Sequence, residues 1–241
     1  MRTACTRVWR KALLAIAFAW ASAGPVPAEG ILMAPTRLEV AEGVYVFMTP
    51  PYGEVGLDGN SIVIVSKDGV LVFDSNGTPA ATEMVLAEIR KITDQPVRYV
   101  VNSHWHWDHW YGTEVYRRTF LGVHVITHEK TRDLMMGPAL AFNKPGLDEQ
   151  IPGYLEDLEK RVHTARETTP RPANLATLEE ALAMGTFFLD QKRGVHHTFP
   201  DITFNDKLTL FLGEREIQVL NYGRPSRPAM RSCMCRRRRS W

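Results

Sequence analysis

Between positions 102 and 109 the chain reads Asn102-Ser103-His104-Trp105-His106-Trp107-Asp108-His109, three imidazoles and a carboxylate within six residues. The run follows the apolar segment Val97 to Val101. This order predicts a buried strand that ends where a loop opens to solvent, a common address for ligands in layered α/β folds. Side chains at i and i+2 of an extended segment point the same way. His104 and His106 can therefore grip one ion, while Asp108 and His109 turn toward a neighbouring point. Zinc takes nitrogen and oxygen donors, and a catalytic zinc keeps one position for water. The spacing suits two metals about 3.5–4 Å apart, an arrangement with which hydrolases clamp a reacting oxygen. The competing reading makes Trp105, Trp107 and Trp110 a hydrophobic knot and the histidines ordinary residues, but four donors rarely fall in this pattern by accident.

The preceding residues predict the scaffold. A strand is expected near Leu38–Phe47, then the pair Asn60-Ser61-Ile62-Val63-Ile64-Val65 and Val70-Leu71-Val72-Phe73-Asp74 joined by a turn at Lys67-Asp68-Gly69. Turn residues between two β-branched runs read as a hairpin. Met84, Val85, Ile89 and Ile92 recur at helical spacing and predict a helix from Pro79 to Ile92.

His-x-His-x-Asp-His after a strand resembles the first metal motif of the metallo-β-lactamase superfamily, and residues 37–110 resemble that family's opening half. The resemblance implies an α/β fold, the αββα sandwich, present here as its first half plus a helical insertion. It implies two zinc ions, one held by His104 and His106 and the other by Asp108 and His109, with Asp108 also orienting the nucleophile as the catalytic residue. The implied reaction is hydrolysis of a lactam, thioester or ester-like bond in a small-molecule substrate by a metal-bound hydroxide. Asp74 ends its strand near where the family often carries an acidic residue, and a plain turn residue fits that position equally well.

At the N-terminus Arg2, Arg7, Arg10 and Lys11 precede the apolar stretch Ala12–Ala23, followed by small-residue patterns that place cleavage after residue 23 or 28. The stretch is shorter than the roughly 20 residues a membrane span needs. It reads as a signal peptide over residues 1–23, giving a periplasmic or secreted protein without a stable membrane span; an uncleaved anchor is the alternative. Cleavage removes Cys5, and no other cysteine precedes Gly223, so no disulfide framework is available. Four of the 29 basic residues lie in the leader and seven arginines between Arg224 and Arg239; the remaining 18 face 27 acidic residues, a balance of about −9 over residues 24–223. That charge argues against nucleic acid as a partner. Composition does not address the oligomeric state.

Between Thr131 and Leu189, Pro/Gly breaks alternate with helical periodicity, as in Leu155–Val162 and Leu175–Met184. This segment is expected to be a lid, a substrate wall or family-specific padding. A helix over 111–118 and a strand at Val123–Thr127 are expected before it. His124 and His128 are accessory ligand candidates, with ordinary strand and loop roles favoured. His196 and His197 precede a hairpin expected at Ile202–Leu212 and Glu216–Tyr222.

After Gly223 the resemblance implies a turn carrying another histidine, then a bridging carboxylate and a last histidine, yet no His follows His197. Read from the third base of the Pro228 codon, the codons of residues 229–236 can spell Gly-Asp-Ala-Val-Val-Tyr-Val-Pro, which resembles the family's turn and following strand. Residues 24–223 are therefore expected to form an incomplete domain, and residues 224–241 an aberrant basic tail translated out of frame. The alternatives are a genuine basic extension that makes this a surface-binding protein for acidic lipid or nucleic acid, and replacement ligation by Cys233 and Cys235. Loss of half the sandwich is expected to leave one face of the first sheet bare, with poor stability and weak activity.

Overall fold

The computed structural model describes residues 32–222 and the strand Ser232–Arg237. The leader expected at residues 1–23, and all of the tail outside Ser232–Arg237, lie outside the described residues. Strands β1 (Thr36–Ala41) and β2 (Val44–Met48) pair antiparallel around Gly43, whose φ of 66° is the left-handed region open to glycine. The single strand expected over Leu38–Phe47 is thus a hairpin, its turn hidden in an apolar alternation that runs through Gly43.

β3 (Ser61–Ser66) and β4 (Gly69–Phe73) form the expected hairpin, with Ile62 opposite Phe73 and Ile64 opposite Leu71. Helix α1 (Pro79–Arg90) starts where expected: Thr78 caps it by accepting from the Ala81 N–H, and Pro79 sits at the first turn, where no amide hydrogen is needed. The chain continues through β5 (Val97–Val101), α2 (Thr113–Thr119) and β6 (His124–His128). α3 (Glu129–Met135), α4 (Pro138–Pro145), a wide turn at Gly146–Gln150, α5 (Ile151–Glu167) and α6 (Leu175–Arg193) make up the insertion. β7 (Ile202–Phe204), β8 (Lys207–Leu212), β9 (Arg215–Leu220) and β10 (Ser232–Arg237) follow.

The first seven strands form one sheet in chain order, antiparallel as far as β4 and parallel from β4 to β7; β8, β9 and β10 form a second, antiparallel sheet. The hairpin expected from Ile202 is therefore divided. β7 joins the first sheet beside β6, and the chain crosses at Asn205-Asp206 to begin the second.

Side chains alternate between two buried faces of the first sheet, as period 2 requires. Val63, Val70, Val72, Val100 and Val125 meet Val85, Leu86 and Ile89 of α1 and Val115 and Tyr116 of α2. Ile64, Leu71, Phe73, Val101 and Ile126 face the other way and pack on Leu212, Ile217 and Val219 of the second sheet. The bare face expected from an incomplete sandwich is thus covered: β8 and β9 already supply its second layer. Arg215 joins the layers, donating from Nε to the Val65 carbonyl at 2.8 Å and from Nη2 to the Glu42 carbonyl at 2.6 Å. α5 and α6 pair through a small core of their own, with Leu155, Leu158, Val162, Leu178 and Leu189. Among the described residues no helix is long and apolar enough to cross a membrane.

Candidate functional site

Parallel pairing brings the C-terminal ends of β4 and β5 side by side, so Asp74 and Ser103 emerge together. Asp74 takes three donors: the Ser103 N–H on Oδ1 at 2.7 Å, the Ser103 hydroxyl on Oδ2 at 2.7 Å, and His109 Nδ1 on Oδ2 at 2.8 Å. Of the two readings open at this position, the structure supports the acidic anchor. Asp74 and Asn76 both hold a left-handed backbone, φ 64° and 63°, which Asp and Asn tolerate better than other non-glycine residues. Asn76 is fixed there by donating to the Gly59 carbonyl at 2.7 Å and to Thr49 Oγ1 at 2.9 Å.

The motif runs from this anchor through a single 3₁₀ turn at Trp107–His109 into α2. The His109 carbonyl accepts from the Ser75 N–H at 3.0 Å and from Asn102 Nδ2 at 2.9 Å, and the Trp110 indole donates to the Trp105 carbonyl at 2.9 Å. Two glycines make room for the loop: a Cβ on Gly59 would collide with the Asp108 carbonyl, and one on Gly77 with the Trp107 ring. The expected helix at 111–118 begins at Thr113 because this turn occupies the residues before it.

Hydrogen bonding decides which imidazole nitrogens can face an ion. Ser103 has one proton and gives it to Asp74, so its oxygen accepts from His104 Nδ1 at 2.9 Å, and the lone pair of His104 rests on Nε2. His109 Nδ1 likewise serves Asp74, turning Nε2 toward Asp108 Oδ2 at 3.1 Å. The His104 ring centre lies 4.6 Å from that of His106 and 4.1 Å from that of His109. All four motif residues singled out by the sequence therefore share one locus.

Burial lowers the His104 imidazole to about 4, helped by the charge on His109, and burial also lowers His106. Burial opposes charge on His109 too, but hydrogen bonds and charge from Asp108 and Asp74 outweigh it and raise the imidazole to about 10. Burial raises the Asp108 carboxyl, and the hydrogen bond and charge of His109 more than offset this, leaving it below its usual value. The negative charge of Asp74 and Asp108 around His109 therefore favours positive charge at this point of the motif.

Two donors on one tetrahedral zinc lie about 3.3 Å apart, from metal–ligand bonds near 2.0–2.1 Å. The separation of Asp108 and His109 fits that edge, and Asp74 behind His109 is the carboxylate partner that metal-bound histidines usually have. Among the described residues, however, no three His, Cys, Asp or Glu side chains gather as a metal-binding group. The donors fit in kind and as a pair without completing a coordination shell.

Three of the remaining histidines have partners away from the motif, while His163 and His196 are exposed. His124 lies 3.5 Å from Asp201, His128 caps α3 by accepting from the Lys130 N–H, and His197 packs against Trp110 and Tyr111. Cys233 and Cys235 lie on β10, paired with Val219 and Ile217 of β9.

Sequence reasoning missed Asp58, whose carboxylate accepts from Tyr52 at 2.5 Å, the Gly59 N–H at 2.7 Å and the Gly77 N–H at 2.8 Å, tying together the two loops that flank the motif. Burial raises this carboxyl to about 7 against those bonds. It also missed Lys192, buried at the end of α6 against Trp107. An acid in a Gly-rich loop and a cation in a last helical turn carry no distinctive signal in sequence.

A family model described as the metallo-beta-lactamase superfamily matches residues 55–219. The chain belongs to the metallo-beta-lactamase superfamily. Its two sheets and flanking helices are a metallo-beta-lactamase-like α/β fold, and membership supports a metallo-hydrolase, in a superfamily that usually binds metal ions. Among similar solved structures is a metallo-beta-lactamase from Pontibacter korlensis, 19% identical over 77% of this chain and 59% of that one, with a TM-score of 0.47. A motif mutant of the Cronobacter sakazakii metallo-beta-lactamase is 15% identical over 84% of this chain and 58% of that one, with a TM-score of 0.49. The metallo-beta-lactamase FIM-1 from Pseudomonas aeruginosa is 16% identical over 43% and 46%, with a TM-score of 0.39. The chain therefore spans less than two thirds of the length of these relatives.

Proposed function

We propose that this superfamily member is an exported zinc-dependent hydrolase that opens a lactam, thioester or ester-like bond in a small molecule. The observation carrying this reading is the pair Asp108 Oδ2 and His109 Nε2 at 3.1 Å, with His109 held from behind by Asp74. His104 and His106 would hold one ion, and Asp108 and His109 the other. Zinc, when bound, supplies a Lewis acid that polarises a carbonyl and makes water acidic enough to react near neutral pH. The chain's own residues fix the donors: Ser103 and Asp74 set the tautomers of His104 and His109, and Asp108 is the carboxylate placed to orient a reacting water. Trp107 shapes the wall beside the motif. The basic and then apolar N-terminus supports export, and the acidic balance of residues 24–223 disfavours nucleic acid.

The test is hydrolysis of a chromogenic cephalosporin, an acetyl thioester and 4-nitrophenyl acetate by the chelator-treated full chain, with and without added zinc. Turnover restored by zinc in the wild type and absent in His104→Ala/His106→Ala supports the reading. Equal turnover in both proteins contradicts it. A second reading, a relative that keeps the fold without a working centre, is favoured by the lack of a three-donor group among the described residues. It predicts a folded chain with no zinc-dependent turnover on any of the three probes.

A further inference from the structure

The first sheet ends in two unlike edges. β7 is three residues long, and the chain leaves it at once for the second sheet; a short edge strand of this kind gives another chain little to pair with. β1 is six residues long and contains no proline, glycine or lysine. All six residues are exposed although β2 pairs along one side. On its other side β1 has no neighbouring strand among the described residues. An edge that presents its outer N–H and C=O groups in this way is a template for a further strand.

The order of side chains favours one occupant. Leu38 lies opposite Val46, Val46 opposite Ile62 and Ile62 opposite Phe73, so Leu38 stands on the face that packs on the second sheet. That packing reaches Val44 and Ile62 and stops short of β1, leaving Leu38 and Val40 each 54% exposed. Arg37 and Glu39 share the opposite face. Arg37 stands 3.8 Å from Glu88 of α1, a carboxylate that Lys91 already holds at 2.5 Å. Glu39 Oε1 accepts from the Gly43 N–H at 3.0 Å, and a carboxylate has lone pairs for more than one donor. The β1–β2 register shifts between Glu39 and Ala41, so the regular edge is Thr36 to Val40, with Leu38 at its midpoint. Antiparallel strands related by a twofold axis set one residue against its own copy. Centred on Arg37 the register stacks Arg on Arg, and centred on Glu39 it stacks Glu on Glu, both unfavourable. Centred on Leu38 it sets Arg37 against Glu39 of the second copy twice over, Leu38 against Leu38, and Thr36 against Val40.

We propose that β1 is a dimerisation edge: a second copy of this chain pairs antiparallel with it, centred on Leu38, and the first sheet continues through both copies. Main-chain hydrogen bonds along Thr36 to Val40 supply the attraction, and the two Arg37–Glu39 pairs fix the register. Contact between the two Leu38 side chains removes apolar surface from water at the axis. The edge lies at the end of the sheet away from the strand ends that carry the metal motif, with β2 and β3 between β1 and β4. The inference therefore draws neither on the motif nor on the hydrolase reading.

The test is sedimentation equilibrium of the full chain between about 1 and 100 µM, comparing the wild type with Arg37→Glu and with Arg37→Glu/Glu39→Arg. The wild type is expected to show a monomer–dimer equilibrium in that range. Arg37→Glu sets like charges opposite each other at two points and should weaken the dimer about tenfold or more. The double exchange restores opposite charges with their signs reversed and should bring the dimer back to within about threefold of the wild type. Both positions are exposed, so neither variant requires the core to repack. Leu38→Lys, which sets two ammonium groups against each other at the axis, should leave a monomer. A wild type that is monomeric throughout, as it would be if another part of the chain covered the edge, overturns the proposal. So does a dimer or larger assembly that Arg37→Glu does not weaken, or one that the double exchange does not restore. No turnover or metal binding enters this measurement, so its outcome and that of the hydrolase reading are separate.

Discussion

His109 donates from Nδ1 to Asp74 Oδ2 at 2.8 Å, joining the end of β4 to the far end of the motif that follows β5. The same carboxylate holds both the N–H and the hydroxyl of Ser103, so one buried side chain sets the start and the finish of the loop. The motif is thus tied at both ends to a parallel strand pair.

Asp74→Asn tests that anchor. Asn tolerates the left-handed backbone at this position but removes the charge and replaces one acceptor oxygen with a donor. Zinc affinity is expected to fall about 10- to 100-fold. Folding stability is expected to fall by about 1–3 kcal/mol because Ser103 loses charge-assisted partners. Zinc titration and urea unfolding read the two effects, and an unchanged zinc affinity contradicts the role given to Asp74.

Gly59→Ala brings a methyl group onto the Asp108 carbonyl, and the motif must shift to admit it. A loss of about 1–3 kcal/mol is expected. Gly153→Ala is the internal control: it lies exposed near the start of α5, where an added methyl would meet nothing within 4 Å, and it should gain about 0.5 kcal/mol. Urea unfolding of the two variants should therefore move in opposite directions.

The second layer depends on Arg215, which is 6% exposed and serves carbonyls of the first sheet. Arg215→Ala removes the donors that serve the Val65 and Glu42 carbonyls and is expected to cost about 3 kcal/mol. A loss below about 0.5 kcal/mol in urea unfolding would show that the two sheets do not need this tie.

Lys192 gives a pH signature. Its amine is depressed to about 6 in the folded chain by burial, against an ordinary value of 10.5, so between these values the unfolded chain binds the extra proton. Wild-type stability relative to Lys192→Met must then fall as pH falls from about 10 to about 6, by up to roughly 1.4 kcal/mol per pH unit, and level off below. Parallel stability curves for the two proteins would contradict a buried, depressed amine.

The motif and its scaffold were legible because they rest on strong local patterns. Val70 to Phe73 alternate between two buried faces, Gly69 marks the turn before them, and Thr78-Pro79 announces the helix that follows. The β1–β2 hairpin escaped because apolar alternation continues across Gly43 and masks the reversal. β7 escaped because three residues cannot signal which of two sheets they join. Asp58 and Lys192 owe their importance to burial, which arises only when distant segments pack: Gly77 on Asp58, and Trp107 on Lys192. The covered face of the first sheet depends on contacts between segments far apart in the chain, such as Ser66 with the Leu212 carbonyl at a separation of 146 residues.

The central claim is that His104, His106, Asp108 and His109 form a metal centre. Its most direct test is zinc binding by the full chain, compared with His104→Ala/His106→Ala and with Asp108→Asn/His109→Ala, by equilibrium dialysis followed by elemental analysis. The account predicts that the wild type retains zinc and that each double variant retains less. Equal zinc in all three proteins, or none in the wild type, would contradict it.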